Sequence, residues 1–297
     1  MRVRRESIEA WRRVADPGRF SVSRTLSFII GPMVCLLTGA CTMVPAPEVR
    51  TVRDVVFSRP DWPKPMKAHV DLPKGEGPHP AVLLLHGGGL ADSGGRWQMA
   101  GIAGRLARRG YVVVNSTYRT VPKYQHPVPL EDVREALRWM RSDAGAAHGI
   151  DPRRIAVFGY SAGGYLASLA ALTEQPGENR VKAIVAGGAP SDMIFYAEGD
   201  LVPEYLGGRL YEIPERFYEA SPANFVTKSS PPIFLYYGGR DRLVRPEHPL
   251  LMAETYRKAG ARYEVREIPR LGHITTFLFS EKEVDEAIDF LDGVLKR

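Results

Sequence analysis

The stretch Ala156-Val157-Phe158-Gly159-Tyr160-Ser161-Ala162-Gly163-Gly164 decides how the chain is read. Ile155 to Phe158 is a short continuous apolar run, the pattern of a buried strand. Tyr165 to Leu172, rich in Ala and Leu, opens a helical pattern. Between them Gly159, Ser161 and Gly163 spell Gly-x-Ser-x-Gly. Strand, sharp turn and helix form the setting in which that pattern is a nucleophile elbow. The turn strains the backbone of the serine, and only small neighbours leave room for it. It lifts the hydroxyl above the sheet, at the positive end of the following helix. Alone the pattern is weak, since a glycine-rich turn into a helix reads the same way.

Working outward, strands and helices alternate. Thr51–Phe57 and Met66–Leu72 alternate apolar and polar and pair as a first hairpin, with 61–65 as its turn. Ala81–Leu85 is a continuous apolar run, as in a strand covered on both faces. Helix 96–109 follows, closed by Gly110, then strand 111–114, helix 130–148, a turn at Asp151-Pro152 and the elbow strand 155–158. Strands 181–186, 232–237 and 263–268 come next, with helices at 246–259 and 281–295. Alternation of this kind predicts a mostly parallel sheet of about eight strands with helices on both faces. On such sheets ligands bind at the carboxyl ends of the strands. Residues 190–230 interrupt the rhythm with aromatics among prolines and glycines. They read as a short lid insertion over those ends, or as an irregular connecting loop.

The chain has 297 residues, 44% hydrophobic and 25% charged, enough for one large α/β domain. Seven arginines and three acids before Cys41 carry +4 of the net charge of +6. The body is therefore nearly neutral, and the basic balance is no argument for nucleic-acid binding. Both cysteines, Cys35 and Cys41, also lie in this N-terminal region, which excludes cysteine chemistry from the body. Residues 1–41 read as an export segment: a basic stretch, an apolar core Leu26–Leu37 too short to span a bilayer, and small residues before Cys41. Leu37-Thr38-Gly39-Ala40-Cys41 resembles a bacterial lipobox, with its leucine one place further from the cysteine than usual. Lipidation of Cys41 would attach the protein to a membrane; a plain cleaved signal and an uncleaved anchor are the other readings. Residues 42–50 read as a linker and 51–297 as the exported domain, periplasmic or membrane-anchored.

Several chemistry-bearing residues fall after separate strands. His86-Gly87-Gly88-Gly89 follows Leu85, and bare glycine backbone there can turn N–H groups toward a developing oxyanion. Ala162, just after the serine, supplies one expected donor; Gly88 and Gly89 supply the others, with Gly87 fixing the turn. A serine hydroxyl needs a base. Of the seven histidines, His273 is the best placed, in Leu271-Gly272-His273 after strand 263–268. His248, between Pro246 and Pro249, reads as a surface residue. His69 lies in an early strand, His86 is not taken as the base, and His126 is placed to line a pocket. Asp241 follows strand 232–237 and is the expected acid partner of the histidine. Its bland reading is a helix cap, and Asp192, after the preceding strand, is its rival. Trp97, Tyr118, Tyr196 and Tyr205 are candidate pocket walls. No histidine–carboxylate set has zinc spacing, and Gly87-Gly88-Gly89 is not a phosphate loop, since no Gly-Lys-Ser/Thr follows. No metal or cofactor is expected.

The motif set resembles the α/β-hydrolase superfamily. His86-Gly87-Gly88-Gly89 and Gly159–Gly164 are similar to the esterase/lipase branch that includes hormone-sensitive-lipase-like carboxylesterases. Ser221-Pro222-Ala223, Gly239–Val244 and Gly272-His273 also resemble small acetyl-xylan-esterase-like hydrolases. The resemblance spans about residues 50–297. It implies an α/β-hydrolase fold and cleavage of a small-molecule carboxylic ester through an acyl-enzyme, with Ser161, Asp241 and His273 as the triad. The short insertion disfavours a long-chain lipase and points to short acyl groups. An amide or peptide hydrolase of the same fold, and a silent hydrolase fold used for binding, are the alternatives.

Overall fold

The computed structural model describes residues 49–91, 94–175, 177 and 180–296, so the readings of the export segment, Cys41 and most of the linker lie outside the described residues. Eight strands form one sheet in the order β1-β2-β4-β3-β5-β6-β7-β8. β1 (Arg50–Val56), β2 (Lys67–Leu72) and β3 (His79–Leu85) are followed by helix α1 (Ala100–Arg108) and β4 (Val112–Ser116). Helix α2 (Val128–Met140) leads to β5 (Ile150–Tyr160), and helix α3 (Ala162–Leu172) to β6 (Ala183–Gly187). Two short helices, α4 (Leu201–Leu206) and α5 (Pro214–Glu219), precede β7 (Ile233–Gly238). The chain closes with α6 (Glu247–Ala259), β8 (Tyr263–Ile268), α7 (His273–Phe279) and α8 (Glu281–Leu295). β1 and β2 pair antiparallel, as do β2 and β4; every other pairing is parallel.

The apolar strands conceal a period of two that both faces share. Ala81, Leu83 and Leu85 of β3 join one core with Val112, Val114, Val157 and Ile184, against α2 and α3. Val82 and Leu84 join the other with Val113, Phe158, Val185 and Phe234, against α1 and α8. Because successive side chains point to opposite faces, a strand covered on both sides must be apolar throughout. Every residue of α3 is buried, so this helix, which starts at the elbow, lies inside the protein.

Two boundaries differ from expectation. The helix expected over 130–148 stops at Met140, where the Ser142 hydroxyl donates to the Trp139 carbonyl at 2.8 Å, and a separate turn forms at Asp143–Ala146. The turn expected at Asp151-Pro152 lies inside β5, as an irregularity where the pairing with β3 jumps from His79↔Ile150 to Ala81↔Ile155. Asp151 supports it by accepting from the Arg153 N–H at 2.9 Å and from Arg154 Nε at 2.8 Å.

Between β6 and β7 the chain forms two short helices and 3-10 turns at Met193–Tyr196 and Pro222–Phe225. Val202, Tyr205, Leu206 and Phe217 bury its apolar side. Ser221, fully buried, ties it together: its hydroxyl donates to the Phe217 carbonyl at 2.7 Å and accepts from the Met193 N–H at 2.9 Å. This segment also explains why His248 is not a surface residue. Its ring is 1% exposed, stacked on Tyr196 at 4.9 Å and against Phe195 at 4.8 Å. Its Nδ1 accepts from the Ser191 N–H at 3.3 Å. The prolines around His248 mark a helix start, but which side the insertion covers is a tertiary fact.

Burial pushes His248 down to about 4, and His126 likewise. An unfolded histidine titrates near 6.5, so between about pH 6.5 and 4 the unfolded chain binds protons that the folded chain refuses. Stability present above that range falls on acidification, by on the order of 3 kcal/mol from His248 alone. Denaturant titrations from pH 7 to pH 4 are expected to show this loss, with a shallower slope in His248→Gln. Equal slopes in the two proteins would contradict it.

Candidate active site

The elbow is built from backbone contacts. A Cβ on Gly163 would overlap the carbonyl oxygens of Leu85 and His86, and one on Gly159 would overlap the Gly163 backbone. β3, β5 and the start of α3 therefore meet with no room for side chains. Ser161 sits at φ 54°, ψ −122°, a conformation rarely tolerated outside glycine. Its N–H donates to the Gly187 carbonyl at 2.7 Å, which fixes the strained residue to the end of β6. The first turn of α3 closes with the Tyr165 N–H on the Ser161 carbonyl at 3.0 Å. Ala162, Gly163 and Gly164 therefore point N–H groups out of the helix end beside the hydroxyl.

His273, the first residue of α7, and Asp241, in the loop after β7, reach the serine in series. His273 Nδ1 lies 2.6 Å from Asp241 Oδ2, and His273 Nε2 lies 2.9 Å from Ser161 Oγ. A carboxylate only accepts, so Nδ1 carries the hydrogen and Nε2 is left to accept from the serine hydroxyl. The other carboxylate oxygen of Asp241 accepts the N–H groups of Leu243 at 2.9 Å and Val244 at 2.8 Å. Those bonds hold the acid in one orientation. All three side chains are nearly buried, with Ser161 7%, Asp241 3% and His273 8% exposed. Asp192 is employed elsewhere. Its carboxylate accepts from the Ile194 N–H at 2.8 Å and lies 3.1 Å from the Ser221 hydroxyl, capping the 3-10 turn of the insertion.

The glycine loop lies against Ser161: a Cβ on Gly87 would sit 3.4 Å from Ser161 Cβ. Gly88 and Gly89 take φ of 126° and 64°, where a side chain is disfavoured. A Cβ on Gly89 would lie 3.6 Å from Leu201 of α4, so the insertion reaches this loop. His86 Nδ1 donates to the Gly87 carbonyl at 2.6 Å, and burial pushes its pKa down. It is a buried strut of the loop.

Tyr118 is buried beneath the loop, where it stacks on His86 at 4.6 Å and donates to the His86 carbonyl at 2.8 Å. It shapes the site from below and does not form a pocket wall. Trp97 is 76% exposed. Tyr205 is fully buried, with its hydroxyl 3.2 Å from His126 Nδ1 and 3.4 Å from the Tyr165 hydroxyl. Tyr196 covers His248 and donates to the Leu243 carbonyl at 3.2 Å, beside Asp241. One residue that sequence reasoning passed over is Tyr160. Its hydroxyl donates to the His273 carbonyl at 2.6 Å and its ring lies 5.3 Å from the imidazole. The elbow thus carries its own tether to the histidine loop. Its place inside the motif was visible, but nothing in the pattern marks the unspecified position as special. Among the described residues, no three His, Cys, Asp or Glu side chains are grouped to hold a metal ion.

The chain is similar to several known proteins. Esterase LipQ of Mycobacterium tuberculosis is 27% identical over 241 residues, which cover 73% of this chain and 56% of LipQ. Arylacetamide deacetylase of Oryctolagus cuniculus is 34% identical over 124 residues, which cover 41% of this chain and 30% of that enzyme. The chain therefore spans about half the length of LipQ and about a third of that deacetylase. Among solved structures, a truncated carbohydrate esterase from gut microbiota aligns with a TM-score of 0.76 at 21% identity, covering 85% of this chain and 99% of its own. An esterase from Thermogutta terrifontis, Est2, aligns with a TM-score of 0.68 at 25% identity, covering 84% of this chain and 92% of its own. The family model BD-FAE matches residues 70–256, from the second strand through the sixth helix and across both the elbow and the Asp241 loop. Matched over more than half its length, and built on an eight-stranded α/β-hydrolase sheet, the chain belongs to the BD-FAE family.

Proposed function

We propose that this protein is a serine hydrolase that cleaves carboxylic esters with short acyl groups through an acyl-enzyme on Ser161. The observation that carries this reading is the unbroken series Asp241–His273–Ser161 at hydrogen-bonding distance. His273 Nε2 takes the hydroxyl proton as Ser161 Oγ attacks the ester carbonyl. The resulting oxyanion is stabilised by the N–H of Ala162 and by the Gly88-Gly89 backbone. His273 gives its proton to the departing alkoxide, and the alcohol leaves the acyl-enzyme. Water, deprotonated by the same imidazole, attacks the acyl carbon, the acid departs, and Ser161 regains its proton. Asp241 stays ionised and stabilises the imidazolium in both halves. The names of the esterase relatives and esterase structures support the ester as substrate. The small size of the insertion supports short acyl groups.

The similarity to an arylacetamide deacetylase favours a second reading, in which the same site cleaves aryl amides. Export directed by residues 1–41, with lipidation at Cys41, belongs to the same proposal and rests on the lipobox-like sequence.

Rates on p-nitrophenyl esters of rising chain length, set beside the matching anilides, test both readings. The expected outcome is a maximum at acetate or butyrate, slower anilide cleavage, and loss of activity by ~10³-fold or more in Ser161→Ala. A rate unchanged in Ser161→Ala would remove the proposal, and a preference for the anilide would establish the amide reading.

Removal of the acid separates Asp241 from its rival. Asp241→Ala is expected to lower kcat by roughly 10³–10⁴-fold with the protein still folded, because the imidazole loses its tautomer and its counter-charge. Asp192→Ala is expected to stay within about tenfold of the starting rate. The opposite ranking would transfer the role to Asp192.

A further inference from the structure

A second cavity lies away from the serine, under the insertion. Its volume is about 390 Å³, and it opens between α2, the end of α3 and α5. Its polar lining is cationic. Arg134 of α2 and Arg216 of α5 both face it, with His126 between the two elements. Arg134 donates to Thr173 Oγ1 at 2.8 Å, and Arg216 donates to the Leu206 carbonyl at 3.0 Å. Neither contact neutralises a charge. Among the described residues neither guanidinium forms an ion pair, not even with Glu219, the one acid in the lining. Arg134 is half-buried, with Glu131 and Glu174 in electrostatic reach but not paired with it. A half-buried cation is ordinarily matched by an anion, because removal from water is costly without one. Arg216, which is exposed, adds a second positive charge at the mouth. Both guanidinium charges also push His126 down, which places all three groups within electrostatic reach of one another.

The rest of the lining is apolar. Leu130, Phe225 and Pro127 supply it. A bare inorganic anion would leave these surfaces wet. A planar carboxylate suits paired N–H donors of two guanidiniums, while an attached hydrocarbon body suits the walls. Thr173 lies twelve residues beyond Ser161 along α3, about 18 Å at the rise of a helix. The cavity is therefore separate from the site of the serine.

We propose that this cavity is a binding site for an organic carboxylate, its carboxylate held between Arg134 and Arg216 and its apolar body against Leu130 and Phe225. The site is joined to the insertion through His126, whose Nδ1 lies 3.2 Å from the hydroxyl of Tyr205 in α4, and through Arg216 in α5. An acid of the kind released by ester cleavage has the right chemistry to fill it.

Calorimetric titration of the full-length protein with sodium benzoate tests the proposal, with sodium phosphate as the comparison. The expected result is saturable benzoate binding at one site per chain, weakened at least tenfold in Arg134→Gln and in Arg216→Gln. Turnover of p-nitrophenyl acetate should stay within twofold in both variants. Arg216 is exposed, so its replacement tests the site even if Arg134→Gln does not fold. Absence of saturable benzoate binding would overturn the proposal, as would equal binding in the variants or tighter binding of phosphate than of benzoate. The readout is heat of binding, so its failure and a failure of the esterase reading are separately visible.

Discussion

The backbone of Leu85 and His86 lies so close to Gly163 that no side chain fits between them. That contact brings the end of β3 against the first turn of α3, and much of the site depends on it. It places the glycine loop beside Ser161 because β3 and β5 are neighbours in the sheet and end at the same level. It also holds Ser161 at a positive φ, which the bond from its N–H to the Gly187 carbonyl offsets. The strain is thus supported by three strands at once. A parallel sheet makes this possible, since all of its carboxyl ends open at one pole.

Around the elbow a set of buried polar groups fixes orientation. Asp241 uses one oxygen for His273 and the other for two backbone N–H groups, so the carboxylate cannot rotate away without losing both. Tyr160 ties the elbow to the His273 backbone, and Tyr118, just after β4, ties that segment to the loop that begins at His86. Behind Tyr118, Arg119 and Asp132 form a buried pair that Trp62 joins through its indole N–H at 2.8 Å. Each bond satisfies a group that would be costly to bury alone. Together they keep the loop, the serine and the histidine at fixed separations, the condition for a site that stabilises charge without first rearranging.

The strands themselves and the position of the elbow were legible in the sequence because they follow from short-range chemistry, whereas the order of the strands across the sheet was not. Continuous apolar runs mark strands buried on both faces, and glycine around a serine marks a turn that excludes side chains. Asp241 was preferred to Asp192 as the acid, but local signals did not remove the rival. Each follows a strand at the same pole, and only the fold shows that the insertion takes Asp192 as a cap while Asp241 meets His273. His248 and Tyr118 were misplaced for a related reason. Their burial is set by segments distant in sequence, Met193–Tyr196 in one case and His86 in the other. The helix that ends at Met140 and the strand that runs through Asp151-Pro152 show the limit of local signals, since serine and aspartate side chains there satisfy the backbone in ways that composition does not reveal.

In the proposed reaction His273 and Asp241 make the Ser161 hydroxyl nucleophilic. Treatment with diethyl p-nitrophenyl phosphate, followed by peptide mass mapping, tests it without assuming any substrate. The expected result is a single diethylphosphoryl group on the peptide that contains Ser161, formed in step with release of p-nitrophenol and lost in His273→Ala. A protein left unmodified, or modified at the same rate in His273→Ala, would contradict it.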